Sequence, residues 1–111
     1  MSNERPQPPP FIEWGVAALP LEGEAESGDL YVVKPFDHGA LLAVVDGLGH
    51  GPEAAWAAKT AVATLEDHAP EPVISLIKRC HEKLMRTRGV VMSLASLDAK
   101  SSTLTWLGVG N

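Results

Sequence analysis

The sequence is poor in cysteine and has no long apolar run, and both absences narrow the class of protein. Cys80 is the only cysteine among 111 residues, so no intrachain disulfide can form. It lies on the apolar stripe of a predicted helix, and we interpret it as a small core residue rather than a nucleophile. No apolar run is long enough to span a bilayer, and residues 1–10 lack a signal-peptide core. We therefore expect a cytoplasmic protein with no membrane partner.

An excess of positive charge is also lacking. Lys and Arg number 9 against 14 Asp and Glu, which gives a formal net charge of −5. Because nucleic-acid binding requires clustered basic residues that neutralise phosphates, this balance argues against a nucleic-acid partner. It suits a site that concentrates carboxylates around cations. With 45% hydrophobic and 21% charged residues, the composition is typical of one globular domain at most.

The chain divides into a leader and one predicted domain. Residues 1–10 are polar and rich in proline, which predicts a disordered leader, and residues 11–111 form the domain. The domain alternates between β-rich runs and helical patterns that end at proline or glycine. These patterns predict strands over 11–18, 29–34, 40–45, 90–97 and 103–109, and helices over 52–66 and 72–88.

Three of these strands, 40–45, 90–97 and 103–109, are apolar at successive rather than alternate positions. Such runs are typical of strands covered on both faces, so we expect all three in the interior of a sheet. A sheet whose edge is left unpaired tends to associate, and we then expect the chain to be oligomeric.

Basic residues cluster towards the end of the second predicted helix: Lys78, Arg79, Lys83, Arg86 and Arg88. Cations at this end of a helix favour its dipole, and a solvated helix end accounts for them. The alternative is a docking patch for an acidic or phosphorylated partner. Trp56, on the first helix, is interpreted as a packing residue rather than a ligand platform.

Two aspartates are expected to meet at one edge of the sheet. The strands over 29–34 and 40–45 are joined by the turn residues 35–39 and form a predicted hairpin. If Lys34 lies opposite Ala40, antiparallel pairing places Asp29 opposite Val45 or Asp46. Directly opposed side chains have Cβ atoms about 5 Å apart. The hairpin therefore delivers two carboxylates to the same edge.

The segment that follows the second strand is rich in glycine and has the sequence Asp46-Gly47-Leu48-Gly49-His50-Gly51. An aspartate at the end of a buried strand is costly unless its charge is compensated. Glycine beside it lets a backbone carbonyl approach a cation closely. Carboxylates and carbonyls are hard ligands that select Mg²⁺ or Mn²⁺, and two such ions about 3.5–4 Å apart would activate a water and bind a phosphate.

Other interpretations of this segment remain open. Asp-Gly is a common turn pair, and the segment could equally well cap a helix. A dinucleotide-binding loop is a weak alternative, because Pro52 stands at its last glycine position. His50 is a candidate contact for a phosphate or a metal-bound water, and a helix cap is an equal alternative. No histidine pair with helical i, i+4 spacing is present, which disfavours a zinc hydrolase.

Three segments follow one another in a characteristic order and spacing. They are Gly28-Asp29-Leu30-Tyr31, Val45 to Gly51 with the alanine-rich helix after it, and Gly108-Val109-Gly110-Asn111. They resemble the type 2C-like metal-dependent serine/threonine phosphatases, and the closest similarity is to the bacterial branch that includes the stage II sporulation protein E phosphatase domain and RsbX. The step Thr87-Arg88-Gly89 is also similar to that branch. The resemblance covers residues 14–111 and matches the N-terminal half of the domain.

The resemblance implies an α+β fold in which two antiparallel sheets pack together with helices on both outer faces, of which only the N-terminal portion is present. It implies that Asp46 bridges two Mn²⁺ or Mg²⁺ ions, that the Gly47 carbonyl holds one ion, and that Asp29 binds near the metals. The reaction implied is attack of an activated water on phosphoserine or phosphothreonine of a regulatory protein, often one from an anti-sigma pathway.

Family members run to roughly twice this length, and further metal-binding aspartates lie in their second half. Many type 2C members also have Glu at the position of Gly28. We therefore weigh a phosphatase against a second hypothesis, a catalytically incomplete partner-binding module or fragment with the same fold.

Overall fold

The structure, a computed structural model, describes residues 29–110, which form one antiparallel sheet and two helices. The predicted leader 1–10 and the predicted strand 11–18 lie outside the described residues. In chain order the elements are β1 (Asp29–Phe36), β2 (Gly39–Gly47), α1 (Gly51–Asp67), α2 (Val73–Lys83), β3 (Val90–Asp98) and β4 (Thr103–Val109). The α+β arrangement expected from the sequence is confirmed for this part of the chain.

The four strands lie in the sheet in their sequence order, β1-β2-β3-β4, and every neighbouring pair is antiparallel. Hairpins join β1 to β2 and β3 to β4, whereas α1 and α2 together connect β2 to β3. Because each strand pairs with the next one along the chain, the start of β1, the end of β2 and the start of β3 lie together at one end of the sheet.

The first hairpin is tighter than predicted. Pairing continues to Phe36 opposite Gly39, so the turn consists of Asp37 and His38 alone rather than residues 35–39. His38 adopts a positive φ of 60°, which a two-residue connection between paired strands commonly requires. The carbonyl of His38 accepts a hydrogen bond from the backbone N–H of Ala99, at 2.8 Å. The two hairpin turns therefore hold each other at the same end of the sheet.

Helix α1 begins at Gly51, directly after the glycine-rich segment, and confirms the helix predicted over 52–66. Pro52 suits the first turn because its missing N–H would have no helical partner, and Glu53 favours the positive end of the helix dipole. The buried face is made almost entirely of alanine, together with Gly51, Thr64 and Leu65. Such small side chains let the helix axis lie close to the sheet.

Helix α2 carries the apolar stripe expected from the sequence, with Val73, Leu76 and Cys80 buried. It ends at Lys83, well before the predicted end at residue 88. The physical reason is a turn at Leu84 to Thr87, in which the Thr87 hydroxyl donates to the Leu84 carbonyl at 2.8 Å and accepts from the Gly89 N–H at 2.8 Å. Within residues 29–110 no helix is long and apolar enough to cross a membrane.

Both helices contact one face of the sheet, and the core lies between these two layers. Its largest fully buried side chains are Leu41, Val45, Leu65, Leu76 and Leu94. The core thus combines the inward-facing positions of β2 and β3 with the apolar stripes of both helices. One sheet and one helical layer of the expected layered arrangement are therefore present in residues 29–110.

The opposite face of the sheet is apolar but open in the part of the chain that the structure describes. Val44 of β2 and Trp106 of β4 are each 63% exposed, and Leu104 is 60% exposed. The expectation that β2, β3 and β4 are covered on both faces is therefore wrong for residues 29–110. Likewise β4, predicted as an interior strand, lies at an edge of this sheet. Apolar sequence indicates which surfaces can be buried, but not which partner layer buries them.

Candidate metal centre

Asp29 and Asp46 lie directly opposite each other in the β1–β2 ladder. Asp29 is the first residue of β1, and Asp46 is the residue before the end of β2. Directly opposed residues project to the same face with Cβ atoms about 5 Å apart. The sequence-based register, which placed Asp29 opposite Val45 or Asp46, is confirmed in its second form.

The Asp29 carboxylate affects the ionisation of Asp46. The pKa of Asp46 is raised above its usual value, first by a side-chain hydrogen bond with Asp29, then by partial desolvation, and then by the negative charge of Asp29. The hydrogen bond raises the pKa because a protonated Asp46 can donate to the Asp29 carboxylate. A proton between two carboxylates and a cation between two carboxylates relieve the same repulsion. The pair is therefore suited to a positive charge placed between its oxygens.

The acidic pair projects from the face of the sheet opposite the helices. Along β2, Leu41, Ala43 and Val45 are buried towards the helices, so the alternating residue Asp46 points the other way. Both aspartates are exposed, which leaves room for water and for a substrate. On this face Tyr31 and Val44 form the neighbouring cross-strand pair. The site is thus a small acidic patch at one end of an apolar sheet face.

Gly47 is required by close packing as well as by any role as a ligand. A Cβ atom added there would collide with the carbonyl oxygen of Ala54 and would lie 2.8 Å from its carbonyl carbon. Only glycine therefore lets α1 approach the end of β2 this closely. The sequence predicted a glycine for cation access and missed this packing role. Its carbonyl as a metal ligand remains a prediction.

The loop between β2 and α1 turns through two glycines. Gly49 and Gly51 have φ values of 93° and 73°, a backbone region that residues with a side chain rarely adopt. His50, between them, occupies the N-cap position of α1 in an extended conformation, and its side chain does not cap the helix. The helix-cap interpretation of His50 is therefore confirmed for its position, although its side chain makes no capping hydrogen bond. Its contact with a phosphate or a metal-bound water remains a prediction.

A second feature of this region was not assigned from the sequence as part of the site. The Arg88 side chain lies over Gly49, with Nη1 3.6 Å from the position of a Cβ added to that glycine, and its Nε lies 3.5 Å from Oε2 of Glu53. The backbone N–H of Leu48 donates to the carbonyl of Gly89 at 3.0 Å. Residues 88–89 are therefore held against the loop that follows Asp46.

Trp56 belongs to the same region and is 56% exposed, so its interpretation as a packing residue is wrong. It projects from α1 on the side of Arg86 and Arg88, with which it lines a pocket. The helical pattern placed Trp56 beside the alanine stripe and could not show that the stripe alone contacts the sheet.

The donor set fits a hard divalent cation in part. Within residues 29–110 no group of three or more His, Cys, Asp or Glu side chains is arranged as a metal site. Two opposed carboxylates are present, and Mg²⁺ commonly uses one or two carboxylates while it retains several waters and binds substrate phosphates. The oxygen chemistry favours Mg²⁺ or Mn²⁺ over zinc, which prefers nitrogen and sulfur ligands.

Comparison with known proteins gives one match in sequence. The chain is 32% identical over 100 residues to the phosphoserine phosphatase RsbX of Bacillus subtilis (strain 168). The alignment covers 90% of this chain and 50% of that protein, so the chain spans about half the length of the curated relative it matches. No model of a protein family matches the chain.

Solved structures resemble the fold closely. RsbX crystallised in complex with magnesium matches with a TM-score of 0.77 and 32% identity, over 84% of this chain and 47% of that one. A protein from work on the bacterial stressosome, described as a modular system adapted to control secondary messenger signalling, matches with a TM-score of 0.77 and 40% identity. That match covers 81% of this chain and 47% of the other.

A Mycobacterium tuberculosis structure with RsbU and RsbW domains matches with a TM-score of 0.70 over 80% of this chain and 27% of that one. At 24% identity it supports the fold alone. The predicted resemblance to the type 2C-like phosphatases is confirmed by these findings. By sequence and by fold, the chain is a close match to the RsbX-like branch of that family, over about half the length of those proteins.

Proposed function

We propose that the chain carries the first acidic pair of a metal-dependent phosphatase that hydrolyses phosphoserine or phosphothreonine on a regulatory protein. The observation that supports this function best is the direct cross-strand opposition of Asp29 and Asp46. Asp29 raises the pKa of Asp46, and both carboxylates face solvent. Together they form an anionic site for a cation, in a chain that closely matches a phosphoserine phosphatase.

In this mechanism Asp46 and Asp29 would hold Mg²⁺ or Mn²⁺ through their carboxylate oxygens, and the Gly47 carbonyl is the next available oxygen along the chain. Such a cation would supply an activated water as nucleophile and would neutralise the charge of the phosphate. Asp46 would bind the cation in its ionised form, in place of the proton that its raised pKa favours. The rigid β1–β2 ladder fixes the separation of the two carboxylates, so no loop has to close to form the pair.

The relatives support a substrate class. The similar protein RsbX is a phosphoserine phosphatase, and another similar chain comes from a stressosome system. We therefore propose a phosphorylated regulatory protein of an anti-sigma type pathway as the substrate, in the cytoplasm, with neither nucleic acid nor a membrane as partner. The open apolar face of the sheet favours association with a further layer of protein, from the same polypeptide or from an oligomer.

The test is release of phosphate from a phosphoserine peptide by the protein, measured with and without Mn²⁺ or Mg²⁺. We expect metal-dependent release by the wild type and loss of release in Asp46→Ala. Asp37→Ala is the matched control, because Asp37 lies in the turn at the opposite end of the same hairpin and its side chain is 96% exposed. Full activity in Asp46→Ala would exclude the proposed role of the pair.

A second function, a partner-binding module without catalysis, is favoured by a separate observation. Residues 29–110 bring together two carboxylates but no group of three metal-ligating side chains. A module of this kind binds the phosphorylated partner but releases no phosphate under any metal condition. Peptide binding without phosphate release by the wild-type protein would therefore favour the module over the enzyme.

A further inference from the structure

A pocket of about 570 Å³ lies between the first turns of α1 and the segment before β3. Three residues of α1 and three consecutive residues of that segment line it: Pro52, Glu53, Trp56, Arg86, Thr87 and Arg88. We call it the arginine pocket. It is separate from the outer sheet face on which Asp29 and Asp46 project, and the mechanism above does not use it.

The charge of the arginine pocket is net positive. Arg86 and Arg88 contribute two guanidinium groups, and Glu53 contributes the only carboxylate among the lining residues. Glu53 lies 3.5 Å from Arg88, but both side chains are more than two-thirds exposed, so this ion pair is weak and is readily exchanged for another carboxylate. Among residues 29–110 no ion pair of Arg86 is recorded. In a chain of net charge −5, this pocket is a local site for anions.

Trp56 adds an aromatic surface to this charge. Its side chain is 56% exposed on the pocket wall although the same helix buries a whole face of alanines. Exposed tryptophan beside arginine is a composition enriched where proteins bind partners tightly. Tryptophan provides a large contact area with few rotamers to order. Arginine, in turn, binds carboxylates through two parallel hydrogen bonds.

The length of chain between Asp46 and Gly49 limits the distance from the Arg88 side of the pocket to Asp46. Arg88 lies over Gly49, which is three residues after Asp46. Consecutive Cα atoms are 3.80 Å apart, so the Cα atoms of Gly49 and Asp46 are at most about 11 Å apart. An extended peptide advances about 3.3–3.6 Å per residue, so about three residues cover this distance. The loop therefore places the Arg88 side of the pocket within about three extended residues of Asp46.

We propose that the arginine pocket is a specificity site that binds an acidic side chain of the substrate about three residues away from the phosphoserine. The proposal rests on the proposed function for the phosphoserine at the metal centre. The phosphate itself is held at the acidic pair through the cation, whereas Arg86 and Arg88 bind the flanking carboxylate and Trp56 packs against the intervening peptide. The pocket thus selects phosphoproteins in which the modified serine has an acidic neighbour.

Binding of labelled peptides that carry a non-hydrolysable phosphoserine analogue, measured by fluorescence anisotropy with Mg²⁺ present, tests the proposal. Two peptides are compared, one with Glu three residues from the phosphoserine and one with Gln at that position. We expect the wild type to bind the Glu peptide more tightly. We expect Arg86→Gln/Arg88→Gln to remove that preference and to weaken binding of the Glu peptide by about tenfold, the effect of losing two exposed ionic contacts.

The matched controls remove the same kinds of side chain, two cations or one exposed tryptophan, at positions away from the pocket. Lys78→Gln/Lys83→Gln removes two exposed charges from α2, and Trp106→Ala removes an exposed tryptophan from the open sheet face. Both should retain the preference for Glu, whereas Trp56→Ala should weaken binding of both peptides. Circular dichroism establishes that each variant is folded, which we expect because the altered side chains are exposed.

Two results would overturn the proposal. The wild type could bind both peptides equally, or the arginine variant could retain the preference for Glu. If it retains the preference while both peptides bind more weakly by the same factor, the pocket is a site for the phosphate itself. Because the assay measures binding alone, an acid preference that depends on the arginines stands even if the protein releases no phosphate, and that outcome would reject the proposed catalysis separately.

Discussion

Asp29 lies directly opposite Asp46 at the end of the sheet where β1 begins and β2 ends. Neither side chain contributes to the core. The two carboxylates repel each other, and like charges directly opposite each other destabilise a sheet. The repulsion between the two carboxylates therefore destabilises the hairpin at this one position. A bound cation would remove the repulsion, which is why the pair is the centre of the proposed function.

Replacement of Asp46 by Asn should stabilise the fold in the absence of divalent metal. The pKa of Asp46 is raised in the folded protein, so its ionised form costs stability at neutral pH, and the cost disappears as the pH falls through that pKa. We expect Asp46→Asn to increase the free energy of unfolding at pH 7 by up to about 1 kcal/mol, measured by urea denaturation in EDTA. Asp37→Asn should have no effect. A less stable Asp46→Asn variant would show that the opposed carboxylates are not repulsive.

Alanine at Gly47 should destabilise the protein more than alanine at Gly49. At Gly47 the added methyl group collides with the backbone of α1, which cannot move aside as a side chain could. We expect a cost of about 3 kcal/mol or more in the free energy of unfolding. At Gly49 the nearest atoms belong to Arg88 at 3.6 Å, so only the positive φ is penalised, at about 1–2 kcal/mol. Equal costs in thermal or urea denaturation would contradict the close contact between β2 and α1.

Leu76 should be the most sensitive position of α2. Its side chain is fully buried between α2 and the rest of the core, so Leu76→Ala should reduce the free energy of unfolding by about 2–5 kcal/mol. Ile74→Ala on the same helix is the control, because Ile74 is 55% exposed and should cost well under half as much. Similar losses for both variants, measured by urea denaturation, would mean that α2 packs through a different face.

Cys80 should be unreactive in the folded protein. Burial raises the pKa of its thiol to about 11, because the apolar surroundings disfavour the thiolate. At pH 8 the thiolate, which is the nucleophile, is therefore scarce, and the side chain is only 2% exposed. We expect alkylation by iodoacetamide to be at least about 100-fold slower in buffer than in guanidinium chloride. Comparable rates in the two solvents would show that the core around α2 is open.

Much of this architecture could be predicted from local sequence. Strand, turn and helix patterns each depend on neighbouring residues along the chain. The register between β1 and β2 followed from the centre of the turn, which lies at residues 37–38 although the turn is shorter than predicted, and that centre fixes every cross-strand partner. That is why the opposition of Asp29 and Asp46 was predictable to within one residue. The stripe through Leu76 and Cys80 was equally predictable, because helical periodicity shows which side of α2 is apolar.

Other features depend on contacts between segments that are distant in sequence. Arg88 was counted with a basic helix end, but α2 ends at Lys83, and the turn stabilised by Thr87 carries Arg88 to the loop after Asp46. The open position of Trp56 depends on how α1 is rotated on the sheet. The exposure of Val44 depends on a covering layer that no pattern within β2 could specify.

Calorimetric titration of Mn²⁺ into the protein, with no substrate present, tests the central claim most directly. We expect saturable binding by the wild type and by Asp37→Asn. Binding by Asp46→Asn should be weakened at least tenfold, since even residues that only orient a metal ligand are worth about that much. Absence of saturable binding by the wild type, or equal affinity in Asp46→Asn, would contradict the assignment of Asp29 and Asp46 as a metal-binding pair.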